Sequence, residues 1–199
     1  MSEVKENRKE DIYSAAVECF NEKGYYNASM DMIAERAKMT KRGLYYHFKS
    51  KDELFIELFH YMNRKYYAQI PSYVTEISDP EERMMHFVTI ANKVLIENTD
   101  FLKFTHEFMS IGLRKPAIRE VMTSYYNDQV EKVRITIENG IKSGKFIPIN
   151  PEDMARAIVL VTIGAFNAYF TLDSNFDLVK QHTFNITHML KGLMNNHRP

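Results

Sequence analysis

The chain contains 199 residues and has a mass of 23.4 kDa, a length typical of one domain or of a medium domain with a smaller one beside it. Apolar residues make up 45% and charged residues 26% of the sequence, which excludes a disordered chain. Basic and acidic side chains both number 26, and the single cysteine, Cys19, excludes an internal disulfide.

Two segments predict the cellular compartment. The charged stretch from Glu3 to Asp11 lacks the apolar core of a signal peptide. The longest apolar stretch, Ala157 to Phe166, is about half of the roughly 20 residues that a membrane crossing needs. We therefore expect a cytoplasmic protein without a membrane span.

Helical periodicity and end signals divide the first part of the chain into four helices. Gly24 is a predicted stop for the first helix. Ser29 and Thr40 are predicted N-caps, and Ser50 with Glu53 forms a capping box. The four helices are expected over about 6–23, 29–37, 40–48 and 50–71.

The signals stay helical in the rest of the chain. Asp79 precedes Pro80 and Asn150 precedes Pro151, so each proline stands at the first position of a helix. Further helices are predicted over about 116–143, 151–170 and 176–193. No alternating pattern indicates a sheet, and the predicted fold is all-α with about nine helices.

A cationic segment extends from Arg36 to Lys51. It contains six basic residues and no acidic one, with aromatic side chains at 45–48. Such a segment is typical of a surface that contacts phosphates. A solvated face that happens to lack acids is the alternative, and the context of the segment decides between them.

The helices before residue 50 form a predicted helix-turn-helix unit, and their sequence supplies that context. The stretch GYYNASMDMIAERAKMTKRGLYYHFKSKDELF, from Gly24 to Phe55, resembles the DNA-binding segment of the tetracycline-repressor (TetR) family of bacterial transcription regulators. The match includes the glycine and aromatic residue after the first helix and the run 44–49 on the third. The resemblance implies a bacterial repressor, located at the nucleoid when bound, that binds an inverted-repeat operator as a homodimer and is released by a small molecule.

The geometry of a helix-turn-helix assigns the DNA contacts. Its second helix lies in the major groove with its N-terminal residues at the base edges. Lys41 and Arg42 can donate to guanine O6 and N7 and are the predicted readers, and the resemblance implies phosphate contacts for Tyr45 and His47. The complete predicted DNA-binding set is Ser29, Thr40, Lys41, Arg42, Gly43, Tyr45, Tyr46, His47, Lys49 and Lys51.

Several of these residues have a structural alternative. Tyr45 could be a core aromatic like its neighbour Phe48, and His47 could be a capping or surface histidine. Lys49 and Lys51 could be ordinary solvated lysines at the entrance of the fourth helix. The sequence leaves both readings open for each.

Two departures from the family pattern affect the reading unit. Lys38 stands where glycine is common because the turn can require a positive φ, which costs a non-glycine residue on the order of 1 kcal/mol unless the turn has another geometry. Arg42 stands where many members carry glycine, and Gly43 replaces a small hydroxyl residue or alanine. We expect an unusual operator, with Arg42 doing more of the reading.

The sequence predicts a DNA-binding domain over 1–50 and a sensing and dimerisation domain over 51–199, with the helix 51–70 as a lever. The helix from Pro151 to Phe170 is apolar nearly all round, which favours burial on two sides, one of them against a second copy. The alternative is the central helix of a monomeric core. The predicted dimer contacts are Ile158, Val161, Ala165, Phe166, Ile186, Met189, Leu190 and Leu193.

Aromatic and methionine side chains are frequent from residue 52 to 130. They line adaptable apolar pockets but also fill ordinary cores. The resemblance implies a cavity for an apolar or amphipathic effector. The candidate ligand contacts are Met62, Tyr66, His86, Phe104, Phe108, Met109, Met122, Tyr125, Tyr126 and Asn167.

Enzyme signatures are incomplete. His106 and Glu107 begin an HExxH pattern, but Ser110 stands where the second histidine is required. The seven histidines show no metal-ligand spacing on one helix face. We expect no catalysis, metal or cofactor; a helical interaction protein without DNA binding would leave the cationic segment unexplained.

Overall fold

The computed structural model describes residues 2–71, 73–172 and 175–194. Over these ranges the chain is helical and contains no strand, which confirms the all-α prediction; one isolated bridge joins Phe146 to Met194. The helices are α1 (Ser2–Asn27), α2 (Met30–Arg36), α3 (Lys41–His47), α4 (Lys51–Tyr67), α5 (Tyr73–Glu76), α6 (Pro80–Glu97), α7 (Thr99–Gly112), α8 (Pro116–Lys142), α9 (Pro151–Thr171) and α10 (Leu178–Leu193).

Local end signals are used as the sequence predicts. The Ser29 hydroxyl accepts a hydrogen bond from the Met32 N–H at 3.2 Å and begins α2. The Asn150 side chain accepts from the Glu152 N–H at 3.0 Å and begins α9. Gly24 interrupts α1 with φ 72°, a conformation that glycine adopts without steric cost.

Two helix boundaries differ from the prediction. The α1 helix begins at Ser2 rather than near residue 6, and a further turn follows Gly24 up to Asn27. The α4 helix ends at Tyr67 rather than near residue 70. Pro71 disfavours helical backbone in the residue before it, so the helix ends ahead of the proline.

Contacts divide the chain into two units, and the first contains residues 1–67 and 98–122. Its core is aromatic. The Phe59 and Phe108 rings stack at 4.2 Å between centroids, Phe55 meets Phe104 at 4.9 Å, and Phe20 meets Phe55 at 4.8 Å. All five rings are at most 1% exposed, so they fasten α4 and α7 to α1.

The second unit contains residues 68–97 and 123–199. A Cβ on Gly140 would clash with the Phe146 ring, so a glycine is required in the last turn of α8, where Phe146 packs against the helix. The core of this unit consists of Met84, Val88, Ile137, Phe146, Ile158, Ile186, Leu190 and Leu193.

A buried polar cluster joins three helices of the second unit. His182 on α10 is 5% exposed. Its Nδ1 lies 2.8 Å from the Asn92 Oδ1 on α6, and its Nε2 lies 3.0 Å from the Thr162 Oγ1 on α9. The Asn92 amide donates to the Thr183 hydroxyl at 3.0 Å. Burial lowers the pKa of His182 to about 4, so the ring is neutral near pH 7.

The α9 helix is long and apolar enough to cross a membrane by length and composition, and 17% of that stretch is buried within the chain. The same properties are found in helices that bury a face against another protein. The prediction of no membrane span therefore depends on what covers α9.

Candidate nucleic-acid interface

A tight turn joins α2 to α3. The Lys38 N–H donates to the Glu35 carbonyl at 3.0 Å, and the Met39 N–H donates to the Ala34 carbonyl at 2.9 Å. Lys38 has φ 53°, so the turn takes the left-handed geometry that favours glycine, with a lysine in it.

The apolar sides of α2 and α3 face inward. Ile33, Leu44 and Phe48 are fully buried. The Phe48 ring packs 5.8 Å from the Tyr13 ring on α1, which confirms the expectation that Phe48 is a core residue. Tyr45 is 39% exposed, and it therefore lies on the surface rather than in the core.

The N-terminus of α3 is open to solvent. The Thr40 hydroxyl caps it by accepting from the Gly43 N–H at 3.1 Å, and Arg42 is exposed. A Cβ on Gly43 would lie 3.2 Å from the Thr40 Oγ1 and 3.3 Å from the Met39 Cε, so a glycine leaves room for this cap. Arg42 forms no hydrogen bond or ion pair with any residue that the structure describes.

Lys41 is held by an acidic residue of α2. Its Nζ lies 2.8 Å from Asp31 Oδ1 and 2.9 Å from Asp31 Oδ2. This hydrogen-bonded ion pair raises the pKa of Lys41. This ion pair could not be predicted from the segment 36–51, which contains no acidic residue, because Asp31 lies before it in the sequence.

Lys51 bonds inside the protein rather than extending into solvent. Its Nζ donates to the carbonyls of Tyr25 at 2.6 Å and Ala28 at 2.8 Å, and lies 4.5 Å from the centre of the Tyr25 ring. Burial, together with nearby Lys115, lowers the pKa of Lys51. Lys51 therefore satisfies backbone carbonyls at the C-terminal end of α1.

The remaining members of the predicted set lie on or near the surface of α2 and α3. Tyr46 is 68% exposed and its ring contacts the half-buried His47 at 5.4 Å between centroids. Lys49 is exposed, and its backbone N–H donates to the Glu53 carboxylate at 2.6 Å. The Ser50 hydroxyl accepts from the Glu53 N–H at 3.1 Å, so Ser50 caps α4 as predicted. The Glu53 carboxylate accepts from the Lys49 N–H rather than from the Ser50 N–H of a standard capping box.

A polar network supports the unit from behind. Lys115, just before α8, donates to the Asp52 carboxylate at 2.7 Å and 3.0 Å, and the Tyr25 hydroxyl donates to the same carboxylate. Burial alone would raise the pKa of Asp52, but these hydrogen bonds outweigh it and lower that pKa. Burial and the bond to Asp52 raise the pKa of Tyr25 to about 12.

The α7 helix also holds α1. The Tyr25 N–H donates to the Glu107 carboxylate at 2.6 Å, and the Asn21 amide donates to the Asp100 carbonyl at 3.1 Å. Glu107 therefore has a structural role in holding the end of α1. Among the residues described, no group of three or more His, Cys, Asp or Glu side chains could hold a metal ion.

The candidate ligand contacts are divided between the two units. Phe104 and Phe108 are fully buried in the aromatic core of the first unit, and Tyr66 stacks on Phe101 at 5.1 Å. Met62, Met109 and Met122 also belong to the first unit, whereas His86, Tyr125, Tyr126 and Asn167 belong to the second.

The predicted dimer contacts are divided between core and surface. Ile158, Ile186, Leu190 and Leu193 are 5%, 1%, 1% and 2% exposed, so the core of the chain itself holds them and a partner cannot reach them. Val161, Ala165, Phe166 and Met189 are half-buried. The most exposed large apolar side chains of α9 and α10, and of the residue that ends α9, are Leu160 (55%), Tyr169 (43%), Leu172 (60%) and Phe184 (55%).

Sequence reasoning could not identify these exposed side chains. When a helix is apolar nearly all round, periodicity does not show which face meets its own core. Nor does any local pattern signal Asp31, Asp52, Glu107 and Lys115, whose partners come from other helices.

The sequence and the fold are similar to those of known transcription regulators. The family model described as "Bacterial regulatory proteins, tetR family" matches residues 12–58. The uncharacterized HTH-type transcriptional regulator YhgD of Bacillus subtilis (strain 168) is 30% identical over 177 residues, which cover 88% of this chain and 86% of that protein.

Solved structures share the fold. A TetR transcription regulator from Haloarcula marismortui superimposes with a TM-score of 0.85 and 19% identity, covering 96% of this chain and all of that one. The transcriptional regulator FadR from Bacillus subtilis, solved with stearoyl-CoA, superimposes with a TM-score of 0.77 and 20% identity, covering 92% and 98% of the two chains.

Proposed function

Because the chain belongs to the TetR family of bacterial regulatory proteins, we propose that it is a ligand-responsive repressor that binds a palindromic operator as a homodimer. The single observation that carries the proposal is the open N-terminus of α3, where Arg42 stands exposed beside the Thr40 cap. A helix end with this exposure fits the major groove.

The proposed contacts follow from where the side chains lie. Arg42 donates to guanine O6 and N7, and Lys41 extends to the neighbouring base. Exposed Tyr45 and Tyr46 contact phosphates and fix the register. Ser29, Thr40, Gly43, His47 and Lys49 complete the proposed surface. We leave Lys51 out, since its ammonium group already donates to backbone carbonyls.

The exposed apolar side chains of α9 and α10 support a dimer. Leu160 and Phe184 are each 55% exposed, which a second copy would cover. Half-buried Val161, Ala165, Phe166 and Met189 are the predicted contacts that remain available. A dimer presents two α3 helices to half-sites roughly 34 to 36 Å apart.

We also propose release by an apolar or amphipathic effector bound by the region after residue 50. The stearoyl-CoA complex of FadR supports this class of effector. Such a molecule weakens operator binding only by its differential affinity for the two dimer states, with α4 as the proposed lever. The proposal describes a cytoplasmic regulator, and the relatives above are likewise regulators rather than enzymes.

Gel retardation on DNA from upstream of the protein's own gene tests the proposal. Binding should be sequence-selective at about 50 mM salt, and the affinity should fall steeply by about 200 mM. The reason is that lysine and arginine side chains of the protein displace counterions from the DNA phosphates. Failure to bind any duplex at the lower salt concentration would contradict it.

A further inference from the structure

The Asp31 side chain of α2 lies against Lys41 at the start of α3, the helix proposed to enter the major groove. Asp31 lies in the first turn of α2, and both of its carboxylate oxygens lie within 2.9 Å of the Lys41 Nζ. The two side chains are 62% and 61% exposed, so the pair lies on the surface proposed to face DNA.

The pair changes what Lys41 can offer to a duplex. An ammonium group has three N–H donors, and one of them is hydrogen-bonded to the Asp31 Oδ2. The other donors remain for a base edge or a phosphate. The charge of Lys41 is balanced locally, whereas the neighbouring Arg42 has no acidic partner among the described residues.

We propose that Asp31 is a specificity-determining residue of the DNA surface, which neutralises Lys41 toward arbitrary duplexes and orients its remaining donors toward a base of the operator. This inference rests on the proposed function. The partner is double-stranded DNA, and Asp31 acts through Lys41 as a positioning residue.

Two physical effects favour the operator over other duplexes. Binding to arbitrary DNA depends on the number of phosphates that free cations neutralise, and a paired lysine contributes less to that number. An unpaired lysine side chain also loses much rotamer freedom when it binds a base. Asp31 restricts the Lys41 side chain before DNA binds and so removes part of that loss. The benefit appears only where a base accepts one of the remaining donors.

The sizes of these effects can be estimated. Exposed ion pairs shift an equilibrium by up to about fivefold, so removing Asp31 from both subunits of a dimer should tighten binding to arbitrary DNA by up to about 25-fold. Each freed lysine that contacts a phosphate steepens the salt dependence by about 0.9 in the slope of log K against log salt.

The experiment compares Asp31→Asn with Glu35→Gln. Glu35 lies on the same helix, is exposed and pairs with no cation of the described residues, so its replacement removes the same charge without freeing Lys41. Dissociation constants are measured by fluorescence anisotropy for the bound upstream duplex and for a shuffled duplex of equal length, between about 50 and 200 mM salt.

Asp31→Asn should tighten binding to the shuffled duplex more than to the upstream duplex, with a steeper salt slope, whereas Glu35→Gln should affect both duplexes alike. In a Lys41→Met background, Asp31→Asn should also affect both duplexes alike, because its partner is gone. An unchanged or increased ratio of the two affinities in Asp31→Asn would overturn the inference. Wild-type protein that binds neither duplex would instead overturn the proposed function.

Discussion

At the scale of single residues, Lys38 shows how the turn between α2 and α3 is strained. Its φ of 53° costs a lysine roughly 1 to 2 kcal/mol, while glycine loses roughly 0.5 to 1 kcal/mol of unfolded-state entropy. Lys38→Gly should therefore raise the free energy of unfolding by about 0.5 kcal/mol. Urea denaturation followed by circular dichroism measures this, with Lys38→Ala as a control that keeps the strain. A glycine variant less stable than the alanine variant would contradict it.

The two exposed groups on α3 should affect DNA binding differently. Arg42→Ala should weaken the preferred operator by about 1 to 3 kcal/mol and relax the base preference at one position, because it removes a contact to a base edge. Tyr45→Phe should weaken all duplexes to the same extent, because it removes a hydroxyl contact to a phosphate. Binding titrations with the operator and with unrelated duplexes compare them. Equal effects of Arg42→Ala on both kinds of duplex would reject its role.

At the scale of helices, the Lys115–Asp52 pair fastens the start of α8 to α4. The two side chains are 31% and 41% exposed, so water screens the pair, and Lys115→Met should cost about 1 kcal/mol of unfolding free energy. The pKa of Asp52 is lowered in the folded chain, so the contribution is complete above its unfolded value near 4 and is lost as the pH falls below it.

Thermal or urea unfolding of Lys115→Met from about pH 3 to pH 7 measures this dependence. The difference from the wild-type protein should be constant above about pH 5 and shrink toward pH 3. Lys103→Met on α7 is the control, since Lys103 is exposed and joins no ion pair in the part of the chain that the structure describes. A difference that persists at pH 3 would assign the effect to packing.

Several of the helices that sequence reasoning identified begin with a local chemical signal. Ser29, Thr40 and Asn150 cap helices through bonds to residues two or three positions ahead, which a sequence shows directly. Asn98 gives α7 no side-chain cap, and no limits were predicted for that helix. Contacts between distant residues, such as Tyr25 with Asp52, depend on the tertiary fold and therefore escaped prediction.

The resemblance supplied more than the local pattern did. The helix signals alone predict a helix-turn-helix over the first fifty residues, whereas the run 24–55 adds the family, and with it the homodimer, the inverted-repeat operator and the effector. The division at residues 50 and 51 stays a prediction; by contacts, α4 and α7 group with the first three helices.

At the scale of the whole molecule, association through α9 and α10 is the property to test first. Leu160→Asp should convert the proposed dimer into a monomer, because a buried unpaired carboxylate costs several kcal/mol in an apolar interface. Analytical ultracentrifugation measures the mass, and operator affinity should fall with it. Leu113→Asp is the control, since Leu113 is 75% exposed and lies on the other unit. A Leu160→Asp variant that remains dimeric would exclude this face.

The buried imidazole of His182 makes the stability of the helices around it depend on pH. The pKa of His182 is about 4 in the folded chain and about 6.5 in the unfolded chain. Between these pH values the imidazole is therefore protonated in the unfolded chain and neutral in the folded chain. That imbalance removes about 3 kcal/mol of stability over the interval. Amide hydrogen exchange at pH 7 and pH 5 should show α10 losing protection while α1 keeps it, and His182→Gln should abolish the difference. Acidification would then weaken α10 and the helices that pack against His182, while α1 keeps its stability.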